Sequence, residues 1–163
     1  LSEKVFEIFT DGGASGNPGP AGIGVVIREG GQLVAEISES IGDATNNVAE
    51  YRAAIAALEE SIRRGATKVF INTDSELMYF QLTGSYKVKN EALRLLVDQV
   101  RQLSKKIKTV EIKCVRRELN TDADRLAKQA IERSKKSGKQ SVHQAKVVAS
   151  KSIFGEESPG STG

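Results

Sequence analysis

Four carboxylates in this 163-residue sequence stand where strands end or helices begin: Asp11, Glu50, Asp74 and Asp124. Asp11 closes the β-rich run Val-Phe-Glu-Ile-Phe-Thr-Asp at 5 to 11, and Asp74 follows Lys-Val-Phe-Ile-Asn-Thr at 68 to 73. If those strands are neighbours, both aspartates emerge at one sheet edge. Glu50 and Asp124 are expected in the first turns of two helices, where the partial positive charge of the helix start favours an anion. Carboxylate oxygens are the hard ligands Mg²⁺ prefers, and two divalent ions roughly 4 Å apart can activate a water and stabilise the leaving oxygen in phosphodiester cleavage. Strand-end aspartates and first-turn acids are also common for structural reasons alone. Four acids picked from 21 leave both readings open on spacing.

The elements that must position these acids follow from periodicity. Gly22 to Arg28 and Gln32 to Ser40 flank Glu29-Gly30-Gly31, a hairpin signal, and with the first strand they give three antiparallel strands. Asn46 or Asn47 can cap a helix carrying Tyr51, Ile55, Leu58 and Ile62 and stopping at Gly65. Residues 68 to 73 form a short buried-type strand, and 75 to 82 a short helix. Ala92, Leu95, Leu96, Gln99, Val100 and Leu103 give a further helical stripe, and 109 to 115 alternate as a strand. Thr121 can cap a last helix with Leu126, Ala127, Ala130 and Ile131. Hairpin strands followed by alternating helices and strands imply an α/β domain with a mixed sheet and helices packed on it.

With 39% hydrophobic and 28% charged residues, the chain has the composition of an ordinary globular domain, and it lacks the long apolar run a membrane helix needs. Cys114 is the lone cysteine and is expected as a small core residue on its strand. No apolar signal-peptide core precedes the first strand, so a reducing, cytoplasmic location is expected. The net charge of +3 is unevenly placed: residues 133 to 163 carry six Lys or Arg against two Glu, a balance of +4, and residues 1 to 132 are near neutral at −1. A neutral body with clustered carboxylates binds a polyanion only once metal ions neutralise the cluster. The sequence divides into a domain at 1 to 133 and a Ser/Lys-rich tail at 134 to 163, expected to be mobile, although Val147-Val148 and Ile153-Phe154 could dock on a sheet edge.

The local contexts of the four acids resemble type 1 ribonuclease H, the enzymes that cut the RNA strand of RNA/DNA hybrids. Four stretches match in order: Thr10-Asp11-Gly12-Gly13-Ala14-Ser15-Gly16-Asn17-Pro18-Gly19-Pro20-Ala21-Gly22, Thr45-Asn46-Asn47-Val48-Ala49-Glu50-Tyr51, Thr73-Asp74-Ser75, and Asn120-Thr121-Asp122-Ala123-Asp124-Arg125-Leu126-Ala127. Each is weak alone, but four in order and in the right contexts are specific. The resemblance covers residues 4 to about 133 and implies a five-stranded mixed sheet, three antiparallel strands then parallel ones, with helices on both faces. It makes Asp11, Glu50, Asp74 and Asp124 catalytic metal ligands for two Mg²⁺ ions, with Mn²⁺ as a substitute: Asp11 bridging, Glu50 and Asp74 completing one shell, Asp124 holding the other ion. It makes Asn17, Asn46 and Asn47 readers of the ribose 2′-OH, and Thr45 and Asn90 a pocket for a DNA-strand phosphate. The asparagines also suit plain capping and turn roles, which can coexist with binding.

Two departures from the family pattern stand out. Many members carry a histidine in the loop before the last acidic motif; here that loop is Arg116-Arg117-Glu118-Leu119-Asn120, and the only histidine is His143 in the tail. Either Arg117 or Glu118 takes part of its role, or the metals manage without it. The link from Leu82 to Asn90 is too short for the basic, Trp-containing protrusion of some members, and the chain has no Trp. The resemblance implies an endonuclease on RNA/DNA hybrids that leaves 5′-phosphate and 3′-hydroxyl ends, with no membrane, no obligate protein partner and a monomeric state. The rivals are a resolvase- or integrase-like nuclease acting on DNA, against which the three asparagines argue, and a hybrid-binding module without catalysis, in which four intact carboxylates are an unexplained electrostatic cost.

Overall fold

The computed structural model describes residues 2–136 and the short strand Lys146–Val147. An antiparallel meander comes first: β1 (Val5–Ala14), β2 (Gly19–Glu29) and β3 (Gln32–Ala44). Gly30 and Gly31 make the β2–β3 turn at φ of 58° and 83°, a left-handed backbone that only a residue without Cβ adopts freely. There follow α1 (Asn46–Arg63), β4 (Lys68–Thr73), α2 (Glu76–Leu82), α3 (Glu91–Ser104), β5 (Thr109–Cys114), a single 3₁₀ turn at Arg117–Leu119, α4 (Thr121–Lys136) and β6 (Lys146–Val147). The sheet order is β5-β4-β1-β2-β3-β6, with β4 and β5 parallel to β1.

Helices cover both faces because alternate residues of β1 and β2 point opposite ways. On one face Phe6, Ile8, Ile23, Val25 and Ile27 cluster with α1 and with Leu93, Val97 and Val100 of α3. Alanine, the strongest helix former, fills the inner side of α1 at 49, 53, 54 and 57, and these short side chains bring that helix close to the strands. On the other face α4 lies directly on Gly22 and Gly24, where any Cβ would collide with Ala130 or with the Ala123 carbonyl. Gly12 makes the matching contact beneath Ala49 of α1.

The five expected strands are present in the expected arrangement, and a sixth is added. Lys146–Val147 pairs antiparallel with Ser38 and Ile37 on the outer edge of β3, so part of the segment assigned to a mobile tail joins the sheet. The last helix runs to Lys136, three residues beyond the expected domain end. His143, Val148, Ile153 and Phe154 lie outside the described residues. No helix among the described residues is long and apolar enough to cross a membrane.

Four local expectations are corrected. The cap of α1 is Thr45, whose Oγ1 accepts from the Val48 amide at 3.2 Å, so Asn46 and Asn47 are the first helical residues and Glu50 falls in the second turn. Thr121 begins α4 rather than capping it. β1 continues past Asp11 to Ala14, because Gly12 to Ala14 keep pairing with β2. Cys114 is exposed rather than in the core, since β5 is the outermost strand on its side of the sheet.

Candidate active site

The pairing of β1 explains how the two aspartates meet. Its parallel register with β4 ends at Thr10 opposite Thr73, while its antiparallel register with β2 carries on to Ala14. Asp11, still paired with Gly24 in β1, and Asp74, the first residue beyond β4, come next, so both carboxylates sit at the notch where the two strands part. Glu50 arrives from α1, held down by the Gly12–Ala49 contact. Carboxylate oxygens of Asp11, Glu50 and Asp74 lie within 4.8 Å of one another. Asp124 is not part of that triangle. It stands in the first turn of α4, lines the same cleft, and its carboxyl contacts that of Asp11.

The electrostatics of this arrangement are unfavourable for the protein alone. Burial first, then the charge of Asp74 and the contact with Asp124, push the Asp11 carboxyl up to about 8. Burial, followed by the charges of Asp11 and Asp74, holds Glu50 well above the usual carboxylate range, and Arg117 partly offsets this. The Oε1 of Glu50 is enclosed and has no hydrogen-bond partner. A buried acceptor left unsatisfied costs roughly 1–3 kcal/mol, so the site is short of positive charge. A hard divalent cation would supply what is missing: the donor set of Asp11, Glu50 and Asp74 is all carboxylate oxygen, and one oxygen of Glu50 is buried without a partner. These residues fit a divalent-metal site.

The cleft has a volume of about 720 Å³ and is lined by Asn46, Asn47, Arg117 and Lys128 as well as the four acids. A latch joins Asn17 to Asn46, which lines the cleft: the Asn46 backbone N–H donates to Asn17 Oδ1 at 2.9 Å, and the Ala14 backbone N–H donates to Asn46 Oδ1 at 2.9 Å. Both side chains are thereby anchored through oxygen, and these bonds do not use Nδ2. Thr45 and Asn90 are the N-caps of α1 and α3, Asn90 Oδ1 accepting from the Leu93 amide at 3.0 Å; neither lines the acidic cleft.

Sequence reasoning missed Lys128, whose Nζ lies 3.1 Å from Asp124 Oδ2. The signal was the one-turn spacing on a helix, by which residues four apart share a face. It left Arg117 and Glu118 undecided, and Arg117 is the one that lines the cleft. It also gave no role to Asn120, which the fold buries against Asp74.

Residues 9–130 match the family described as reverse transcriptase-like. Over 158 residues, 96% of this chain, it is 41% identical to the bifunctional protein Rv2228c of Mycobacterium tuberculosis, of which it covers 43%. The chain thus spans less than half the length of that relative. Ribonuclease HI of Halobacterium salinarum is 41% identical over 125 residues, 76% of this chain and 63% of that protein. Among solved structures, the N-terminal RNase H domain of Rv2228c superposes with a TM-score of 0.75 at 42% identity, covering 78% of this chain and 98% of that one. LC11-RNase H1 in complex with RNA/DNA hybrid gives 0.75 at 41% identity, with coverage of 78% and 97%. With its strand order, its acidic notch and these relatives in agreement, the chain belongs to the type 1 ribonuclease H family, in a short form without the loop histidine.

Proposed function

We propose that this chain hydrolyses the RNA strand of RNA/DNA hybrids, endonucleolytically and with divalent metal, leaving 5′-phosphate and 3′-hydroxyl ends. The observation that carries the reading is the convergence of Asp11, Glu50 and Asp74 within 4.8 Å, from three separate elements of a ribonuclease H fold. Asp11, Glu50 and Asp74 would hold divalent metal together, with Asp124 contributing from the same cleft. Mg²⁺ is the physiological choice, with Mn²⁺ able to replace it. Bound divalent ions supply the Lewis acidity and the water activation that breaking the P–O3′ bond requires.

The chain's own residues do the rest. The Nδ2 groups of Asn17 and Asn46 are not used in the latch and would donate to an acceptor such as a ribose 2′-oxygen; Asn46 and Asn47 line the cleft. Arg117 brings a positive charge near Glu50 and suits a phosphate oxygen, which its guanidinium can meet with more than one N–H donor. Thr45 and Asn90, each at a helix start, would receive a phosphate of the DNA strand. All four carboxylates come from one chain, so the reaction needs no second copy or protein partner, and the lone cysteine suits a reducing cytoplasm.

The test is cleavage of labelled RNA/DNA, RNA/RNA and DNA/DNA duplexes with Mg²⁺, then with chelator. Cleavage confined to the RNA of the hybrid and lost on chelation is expected. Equal cleavage of DNA/DNA favours the resolvase-like alternative, and binding without cleavage in any metal favours a non-catalytic module. Asp11→Asn should fold and leave no measurable cleavage; near-normal activity in that variant would overturn the site assignment.

A further inference from the structure

Asn120 touches the supports of three of the four carboxylates at once. It is 1% exposed, and its Nδ2 donates to Asp74 Oδ2 at 3.1 Å and to the carbonyl of Thr10, the residue before Asp11, at 2.9 Å. Its own carbonyl accepts from the amide of Asp124 at 3.1 Å, the opening hydrogen bond of α4. The orientation of the amide is forced. Both groups facing Nδ2 are pure acceptors, so a turned amide would set Oδ1 against a carbonyl and a carboxylate. The consequence is that Oδ1 is enclosed with no partner. A side chain kept only for packing would not hold an unpaired buried acceptor in order to donate twice at this spot.

We propose that Asn120 is a positioning residue for the metal ligands: by pinning Oδ2 it fixes the plane of the Asp74 carboxylate, and through Thr10 and Asp124 it ties that plane to Asp11 and α4. The inference deepens the nuclease reading and depends on it. Partners that orient a ligating group in this way change metal affinity or activity by roughly 10–100-fold when removed.

The experiment uses the whole chain. Asn120→Asp keeps the shape and replaces the donor by an acceptor; Asn120→Ser is smaller and keeps one donor. Each is measured for melting temperature in chelator, for Mn²⁺ binding by calorimetry without substrate, and for KM, kcat and the Mg²⁺ concentration giving half-maximal cleavage. Gln81→Ala serves as a control, because it removes a buried hydrogen bond to Tyr51 (2.7 Å) away from the notch. The expected result is a folded Asn120→Asp with weaker Mn²⁺ binding, a Mg²⁺ requirement raised roughly tenfold or more, lower kcat and little change in KM. Asn120→Ser should fall between it and the wild type, and Gln81→Ala should lower the melting temperature alone. If Asn120→Asp does not fold, Asn120→Ser decides by the same readouts. A wild-type metal requirement in a folded variant, or an equal shift in Gln81→Ala, overturns the proposal. A wild-type protein that binds Mn²⁺ but cuts no hybrid overturns the nuclease reading instead, and the Mn²⁺ measurement still judges Asn120.

Discussion

Asp11 in its charged form is accommodated poorly by the metal-free protein, and this makes stability depend on pH. Its ordinary value is 3.8 and its folded value about 8, so between these the folded state keeps a proton that the unfolded chain has released. The folded state binds more protons there, and stability falls as pH rises through the window. Melting in chelator should therefore show a temperature that declines from about pH 5 to about pH 8, and Asp11→Asn should flatten the decline and melt higher. The gain is roughly 2–4 °C for each kcal/mol of strain relieved, and Mg²⁺ should stabilise the wild type more than the variant. Parallel declines in wild type and variant would show that Asp11 is not the strained group. The asparagines divide differently. Asn17→Ala and Asn46→Ala lose the latch as well as an Nδ2 donor, whereas Asn47→Ala loses no protein hydrogen bond of the kind that joins the other two. Asn47→Ala should thus weaken hybrid cleavage by about 0.5–1.5 kcal/mol with an unchanged melting temperature, and the other two should lower both. A drop in stability for Asn47→Ala would reassign it to a structural role.

The elements are placed by glycine as much as by hydrophobic residues. Gly12 seats α1, with Glu50, and Gly24 seats α4, with Asp124; Gly24 is also the cross-strand neighbour of Asp11. An added methyl at either position meets backbone, which cannot rotate away. Gly12→Ala and Gly24→Ala should each cost about 1–3 kcal/mol as overpacking. Near-wild-type cleavage in either variant would mean that the helices need not sit so close. These glycines also mark where the sequence was hard to read. Gly12 and Gly13 look like a loop because glycine is a poor strand former, yet they continue β1, as the close approach of α1 demands. Strand positions 68 to 73 and the hairpin were legible because β-branched residues and paired glycines leave strong local patterns. The notch was legible in outline, since acids at strand ends converge whenever the strands are neighbours. The cap at Thr45 and the exposure of Cys114 were not, as one depends on where the chain enters the helix and the other on which strand ends up outermost. Asn120 was beyond reach for the same reason: its partners lie 46 and 110 residues away.

At the scale of the molecule, the basic end of the chain changes meaning. Arg133, Lys135 and Lys136 belong to the last turn of α4, where cations oppose the helix dipole, and Arg133 donates to the Ser38 carbonyl of β3 at 2.7 Å. Cutting after Lys136 removes three lysines and two glutamates, so the salt dependence of hybrid binding should barely change, in contrast to a cut after Arg133. The cut also strips β6 from β3, re-exposing edge amides and carbonyls. A lower melting temperature with unchanged kcat is expected; an unchanged melting temperature would mean that the added strand contributes nothing. Asp124, on α4, follows the other three acids in the order of synthesis. While the ribosome is still making α4, the growing polypeptide holds an incomplete acid set and an uncovered seat at Gly22 and Gly24. On the proposed nuclease reading, a copy made only as far as α3 and β5 should therefore be unable to cut nucleic acid until α4 has emerged. A fragment ending at Arg116 should be inert, and a synthetic peptide spanning 117 to 136 should restore cleavage to the extent that it docks on those glycines.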